Sequence, residues 1–226
     1  MTARPALVVA AVTLLAASCS SAGGQGISDN RSAGAILAEA GDSLRQATSY
    51  RVKGMIDPGI TVDLVILKNG SRGTVTTHAL TFEEIALDGR LWLRGAALWK
   101  ATATPRASEL DGEWVRVTDP AAAYTYATHL FRLEQAIPNV VFGPRAALKR
   151  ALTTFNGRRV IELSNDREIY DVLADGRPYP VRWAERDNPG PDGQPCGIIL
   201  SDFNAPATLT APESHLTLDA PASPTP

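Results

Sequence analysis

Ile60-Thr61-Val62-Asp63-Leu64-Val65-Ile66-Leu67-Lys68-Asn69-Gly70 decides how this chain folds. Ile60, Val62, Leu64 and Ile66 recur at every second residue, with Thr61 and Asp63 between them, which is the period of a strand with one face buried. Asn69-Gly70 then supplies the positive-φ positions that a tight hairpin requires. A strand ending in such a turn calls for an antiparallel neighbour, and the flanking sequence provides several. Upstream, Tyr50, Val52 and Ile56 alternate with Arg51 and Lys53. Downstream, strands are expected at Arg72 to Thr77, Thr81 to Leu87, Arg90 to Arg94 and Trp114 to Val117, with Asp88-Gly89 as a further turn. After Asn156-Gly157 the alternation resumes at Arg158 to Leu163, Arg167 to Ala174, Pro180 to Glu185 and Gly197 to Phe203.

Helical periods lie around these strands. Ser32 precedes Ile36, Leu37, Ala40 and Leu44 at three- and four-residue spacing, which predicts an amphipathic helix ending near Thr48. Asp119-Pro120 reads as an N-cap and first helical residue, with Tyr124, Ala127, Leu130 and Phe131 continuing to about Ala136. A further helix is expected from Pro144 through Ala147, Leu148, Ala151 and Leu152, and a short strand at Leu98 to Ala101 inside a loop. The apolar connector Ile137-Pro-Asn-Val-Val-Phe-Gly reads as a plug in the core or as the lining of a site. These elements give an α+β chain built on one antiparallel sheet.

The first residues form an address. A cationic start, Met1 to Arg4, leads into an apolar run from Ala6 to Ala17. That run is too short to cross a bilayer, which takes about 20 residues as a helix. Leu15-Ala16-Ala17-Ser18-Cys19 resembles a bacterial lipobox, and the resemblance implies that Cys19 is acylated and becomes the new N-terminus. Two acyl chains anchor stably where one does not. The expected organisation is a signal at residues 1–18, a lipidated polar tether at 19–31, one domain at 32–212 and a disordered Pro-, Ala-, Ser- and Thr-rich tail at 213–226. The expected location is extracytoplasmic, on the cell membrane.

Composition narrows the function classes. The formal net charge is −2 over 226 residues, and no Lys/Arg stripe appears, so a nucleic-acid partner is excluded from the expectation. With Cys19 acylated, Cys196 is the remaining thiol, and its place at the head of Cys-Gly-Ile-Ile-Leu reads as a small core residue. His78, His129 and His215 have no metal-ligand spacing, and the sequence calls for no metal and no cofactor. Glycines fall in Asn-Gly and Asp-Gly turns, with neither a nucleophile elbow nor a phosphate-binding loop. Glu83-Glu84 and the pair Asp171 with Asp175 are the carboxylates to weigh for acid–base work, but adjacent strand residues point to opposite faces. The expectation is a protein that is not an enzyme. Trp92, Trp99, Trp114 and Trp183 read as core or cross-strand pairs, and Arg90, Arg94, Arg177 and Arg182 as solvated strand faces able to meet anionic head groups.

Several of these stretches carry a family likeness. Ser49-Tyr-Arg-Val, Leu87-Asp-Gly-Arg-Leu-Trp-Leu, Trp114-Val-Arg-Val, Tyr170-Asp-Val-Leu-Ala-Asp-Gly-Arg-Pro-Tyr-Pro-Val-Arg-Trp and Leu200-Ser-Asp-Phe-Asn, after a helix from Ser32, resemble the actinobacterial lipoproteins of the LppX/LprG type, relatives of the LolA lipoprotein carriers. The resemblance implies a half-barrel, a strongly curved antiparallel sheet with helices covering its concave face, around an apolar cavity for a lipid or other acyl-chain ligand. On that reading the cavity is lined by Val62, Leu64, Ile66, Leu91, Leu93, Leu130, Phe131, Val141, Phe142 and Leu148, all of which serve equally well as plain core. The implied activity is lipid binding, with envelope lipid transport as its use. The alternative is a scaffold lipoprotein with a filled core that works on an envelope protein partner.

Overall fold

The computed structural model describes residues 31–77, 80–101, 107–118, 137–138, 142, 149–189 and 195–218. Helix α1 (Ala33–Gln46) is followed by β1 (Ser49–Asp57), β2 (Ile60–Leu67), β3 (Gly70–Thr77), β4 (Leu80–Leu87) and β5 (Arg90–Arg94). Then come α2 (Ala96–Ala101), β6 (Val115–Val117), β7 (Lys149–Phe155), β8 (Arg158–Ser164), β9 (Glu168–Leu173), β10 (Pro180–Pro189), β11 (Pro195–Ser201) and β12 (Leu216–Leu218). All twelve strands belong to one curved, unclosed sheet in the order β12-β6-β5-β4-β3-β2-β1-β11-β10-β9-β8-β7. Two meanders, β1 to β6 and β7 to β11, meet at an antiparallel seam in which Val52 faces Leu200 and Gly54 faces Ile198. Only β12 breaks the antiparallel rule, lying parallel to β6 with Leu216 beside Val115.

Alternation places the core on one face. In β2 the buried set is Ile60, Val62, Leu64 and Ile66, in phase with Tyr50 and Val52 of β1, Val75 of β3, Phe82 and Ala86 of β4, and Leu91 and Leu93 of β5. The sheet bends where strand glycines let backbones approach. A Cβ on Gly73 (φ +153°) would stand 2.1 Å from the carbonyl oxygen of Asp63 on β2, and one on Gly54 (φ +144°) 2.2 Å from that of Gly197 on β11. No side chain fits there, so the strands coil more tightly than a β-carbon allows.

Helix α1 begins where Ser32 Oγ accepts from the Ala35 N–H at 3.2 Å, an N-cap. Its buried stripe is Ile36, Leu37, Ala40, Gly41, Ser43 and Leu44, packed into the same core as the sheet. Each of its large apolar residues contributes about 1.5–3 kcal/mol by leaving water. Gly41 admits the apolar connector, since a Cβ there would lie 2.8 Å from the Phe142 carbonyl oxygen, and the Arg45 guanidinium donates to the Pro138 carbonyl at 3.4 Å. Ile137 and Phe142 are fully buried, so these parts of the connector belong to the core.

Three expectations are corrected. Leu98 to Ala101 is not a strand but the end of α2, which opens at Gly95 with the Leu98 N–H on its carbonyl and buries Trp99 and Leu98 against the sheet. The helix expected from Pro144 does not extend through Ala151 and Leu152, because Lys149–Phe155 is β7, paired to β8 through the Asn156-Gly157 turn. Two threonines and a phenylalanine before that turn favour the strand, and hairpin pairing outweighs the helical preference of Ala151 and Leu152. The stretch expected as a tail from residue 213 includes β12 (Leu216–Leu218), reached by a strap from Asp202 that carries Leu209 into a buried position, and residues 219–226 lie outside the described residues. The helix expected from Asp119-Pro120 to Ala136 lies outside the described residues, as do residues 1–30. Among the described residues, α1 and the short α2 are the helices whose side chains join the core cluster with the sheet.

Candidate functional site

The apolar core face is where the expected ligand-lining residues meet. One cross-strand row reads Leu200, Val52, Leu64, Gly73, Glu84, Leu93 and Val115, and the next reads Tyr50, Ile66, Ser71, Ala86, Leu91 and Val117. Val62 stands in the row beyond, beside Val75 and Phe82. The structure thus brings Val62, Leu64, Ile66, Leu91 and Leu93 onto one wall, each no more than 4% exposed. Phe142 joins the same cluster from the other arm, edge-on to Tyr170 with ring centroids 6.0 Å apart. Leu130, Phe131, Val141 and Leu148 lie outside the described residues, as does Cys19.

Sequence reasoning missed one member of this wall. Glu84 is 1% exposed on the core face, and its Oε1 accepts from Ser71 Oγ at 3.2 Å. The signal was available, since Glu84 is in phase with Phe82 and Ala86, whereas Glu83 points to the outer face and pairs with Arg94 at 2.5 Å. The two neighbouring carboxylates therefore sit on opposite faces, as the strand period requires. Cys196 is a buried thiol on β11. Among the described residues, no three His, Cys, Asp or Glu side chains converge in a way that could hold a metal ion.

The outer face is organised by charge. A register row crosses nine strands as Glu162, Asp171, Arg182, Ile199, Lys53, Asp63, Thr74, Glu83 and Arg94. Arg51 grips Asp63 bidentately, Nε to Oδ1 at 2.6 Å and Nη2 to Oδ2 at 2.7 Å, and this hydrogen-bonded guanidinium holds the Asp63 carboxyl below the usual carboxylate range against the opposing effect of its partial burial. Arg94 lies 4.6 Å over the Trp114 ring while pairing with Glu83. Between these groups runs an open groove of about 440 Å³ lined by Arg51, Asp63, Arg72, Glu83 and Trp114.

Under β7 to β10 the pattern differs. The Asp171 side chain is fully buried, its Oδ2 2.6 Å from Arg182 Nε, while the Arg182 guanidinium lies 4.8 Å over the Phe155 ring and 3.6 Å from Glu162. Burial pushes the Asp171 carboxyl up, Arg182 opposes that shift, and Glu162 adds to it. Asp175 is apart from this group and pairs with Arg159 at 3.0 Å, so the two aspartates do not converge. Trp92 is buried on the outer face with His215 edge-on at 5.9 Å, and Trp99 is core.

Among the described residues the sheet thus presents a hydrophobic wall on one side and a charge-laced wall on the other.

No family model and no curated protein matches the sequence. Solved structures do match. LprF from Mycobacterium bovis shares 14% identity at a TM-score of 0.57, with 80% of this chain aligned to 96% of that one. The Mycobacterium tuberculosis lipoprotein LppX shares 14% identity at a TM-score of 0.49, over 79% of this chain and 98% of its own. The LppX/LprG-type fold that the strand and turn order resembles is the fold this chain has, as its likeness to LprF over most of both chains shows.

Proposed function

We propose that this chain is a membrane-tethered extracytoplasmic lipoprotein that holds a lipid or other acyl-chain molecule against the core face of its curved sheet. The observation that carries the reading is the apolar wall from Val52 and Leu200 at the seam to Leu93 and Val115 near the edge, interrupted by Gly73 and the Ser71–Glu84 pair. Binding needs no covalent chemistry. Each CH2 group taken from water contributes about 0.8 kcal/mol before ordering costs, and Glu84 with Ser71 gives the wall a single polar point against which a head group registers. Envelope lipid transport is the use that fits a carrier on a short tether. Cys19 supplies the anchor in this reading, and the protein partner of any transfer would meet the open edges of the sheet.

The scaffold reading has its own support: Leu64, Leu91 and Leu93 are at 0% exposure within one cluster of the protein's own side chains, as in a filled core. Native mass spectra of the chain from residue 19 onward carrying Cys19→Ser, purified from a lipid-rich host and measured before and after organic extraction, separate the two. An extractable mass of lipid size supports the carrier. A bare polypeptide mass that takes up no lipid on later incubation moves the reading to a scaffold acting through its outer face.

A further inference from the structure

We propose that the β7–β8 end of the sheet is a docking surface for an anionic phospholipid membrane. Residues 149–161 carry Lys149, Arg150, Arg158 and Arg159 and no acidic residue, in a chain whose net charge is −2. That is the charge of a patch made to meet anions. Arg150 and Arg158 are exposed, Arg159 is exposed and pairs with Asp175, and Arg158 makes no ion pair among the described residues. Beside them stands Leu152, at 62% exposure the more exposed of the two large hydrophobic residues on the described surface. Residues 151–154 are exposed on both faces of the edge strand. Leu152 shares one face with Arg150 and with Arg159, the partner of Thr154, and Arg158, the partner of Phe155, lies on the other, so an edge-on approach brings cations and an apolar side chain to the interface together, the pairing that an interfacial surface uses.

The point where the tether joins selects the occupant. Arg150 Nη1 donates to the Arg31 carbonyl at 3.0 Å, so the first described residue of the domain lies against β7. A tether of twelve residues has an r.m.s. reach of about 20 Å, whereas twelve strands at 4.7–4.9 Å spacing span roughly 50 Å along their arc. A chain anchored at Cys19 therefore keeps β7, beside Arg31, within reach of the head groups. A lipid anchor combined with a basic patch is the two-signal arrangement that makes attachment stable. This inference rests on the anchored half of the proposed function and is independent of whether the core face holds a lipid.

The test is flotation of the chain from residue 19 with Cys19→Ser, which keeps every residue of the surface and removes the anchor. Vesicles of phosphatidylcholine are compared with and without phosphatidylglycerol, at low and physiological salt. The expected result is binding to the anionic vesicles alone, weakening as salt rises, with Arg158→Gln and Leu152→Ser each lowering the partition coefficient about fivefold at an unchanged melting temperature. Equal binding to both vesicles, absence of binding, or variants that bind like the parent would overturn it. So would a concentration-dependent dimer that Leu152→Ser abolishes without any vesicle binding, which would make β7 an edge for pairing with a second copy. Retained lipid in native mass spectra alongside failed flotation would remove this inference and leave the carrier reading standing.

Discussion

Replacing Arg182 by methionine should expose how the buried carboxylate of Asp171 is tolerated. Methionine keeps most of the length that lies over Phe155 but removes the cation 2.6 Å from Asp171 Oδ2. Breaking a buried ion pair from one side costs about 3–5 kcal/mol, because the remaining charge stays in a dry site. Arg182 is 27% exposed, so water screens part of the pair, and a loss of about 2–3 kcal/mol is the better figure. For a domain of this size that lowers the melting temperature by about 4–12 °C. The pH dependence carries the sign. Burial raises the Asp171 carboxyl above its unfolded value, so the folded state keeps the proton longer, and stability from this group falls as pH rises through the raised value. Without Arg182 the charged form is dearer still. The deficit of Arg182→Met relative to the parent should therefore be full at neutral pH and shrink as pH falls into the acid range where Asp171 protonates. Denaturant unfolding across that range measures it, and Asp171→Asn in the Arg182→Met background should restore most of the loss at neutral pH. A deficit that is constant with pH, or a double variant no more stable than Arg182→Met, would refute the reasoning.

Two further outcomes follow from packing. Gly73→Ala should cost about 1–3 kcal/mol, since its β-carbon meets the Asp63 carbonyl oxygen and its φ is +153°, whereas Gly89→Ala at an open turn position should cost about 1 kcal/mol or less; paired urea titrations compare them. Phe142→Ala should lower stability by about 3–5 kcal/mol, because a fully buried ring against Tyr170 is lost. If the core face also carries an acyl chain, the same variant should retain less extractable lipid in native mass spectra.

The strands were legible because their chemistry is local. Ile60 to Leu67 alternates cleanly, and Asp88-Gly89 and Asn156-Gly157 are positive-φ hairpin turns, so the first meander and β8 to β11 of the second could be read from the sequence; the turn after β2 falls one residue earlier than expected, at Lys68-Asn69, because Gly70 already pairs with Leu67. Ser32 and the Ile36, Leu37, Ala40, Leu44 spacing gave α1 within two residues of its observed ends. What could not be read is whatever depends on a distant partner. β7 contains residues acceptable to a helix, and only β8 makes it a strand. β12 is three residues after a proline- and alanine-rich stretch, held by the backbone of Trp114 and Val115 about a hundred positions away. Nor does any local pattern say that Arg182 would meet Asp171. In the candidate site, the apolar wall was legible as a strand phase, and Glu84 shared that phase but was weighed as a charge and not as a position. Whether the wall is filled or hollow is a matter of volume, which periodicity does not encode.

The seam between β1 and β11 has a consequence for how the chain is made. The first strand to leave the ribosome, and the first to emerge beyond the membrane if the chain is exported, can pair at once with β2 on one side. Its other edge, from Arg51 to Met55, must wait for Gly197 to Ser201, some 150 residues later. Throughout that interval a sheet edge in the middle of the future molecule offers its N–H and C=O groups to any passing strand, and the loop that must close is among the longest the chain could form. The finished sheet cannot be assembled from one end to the other during synthesis. Its two arms form separately and lock only when almost the whole chain is present, so a chain cut short before residue 195 should be an aggregating species and not a smaller version of the fold.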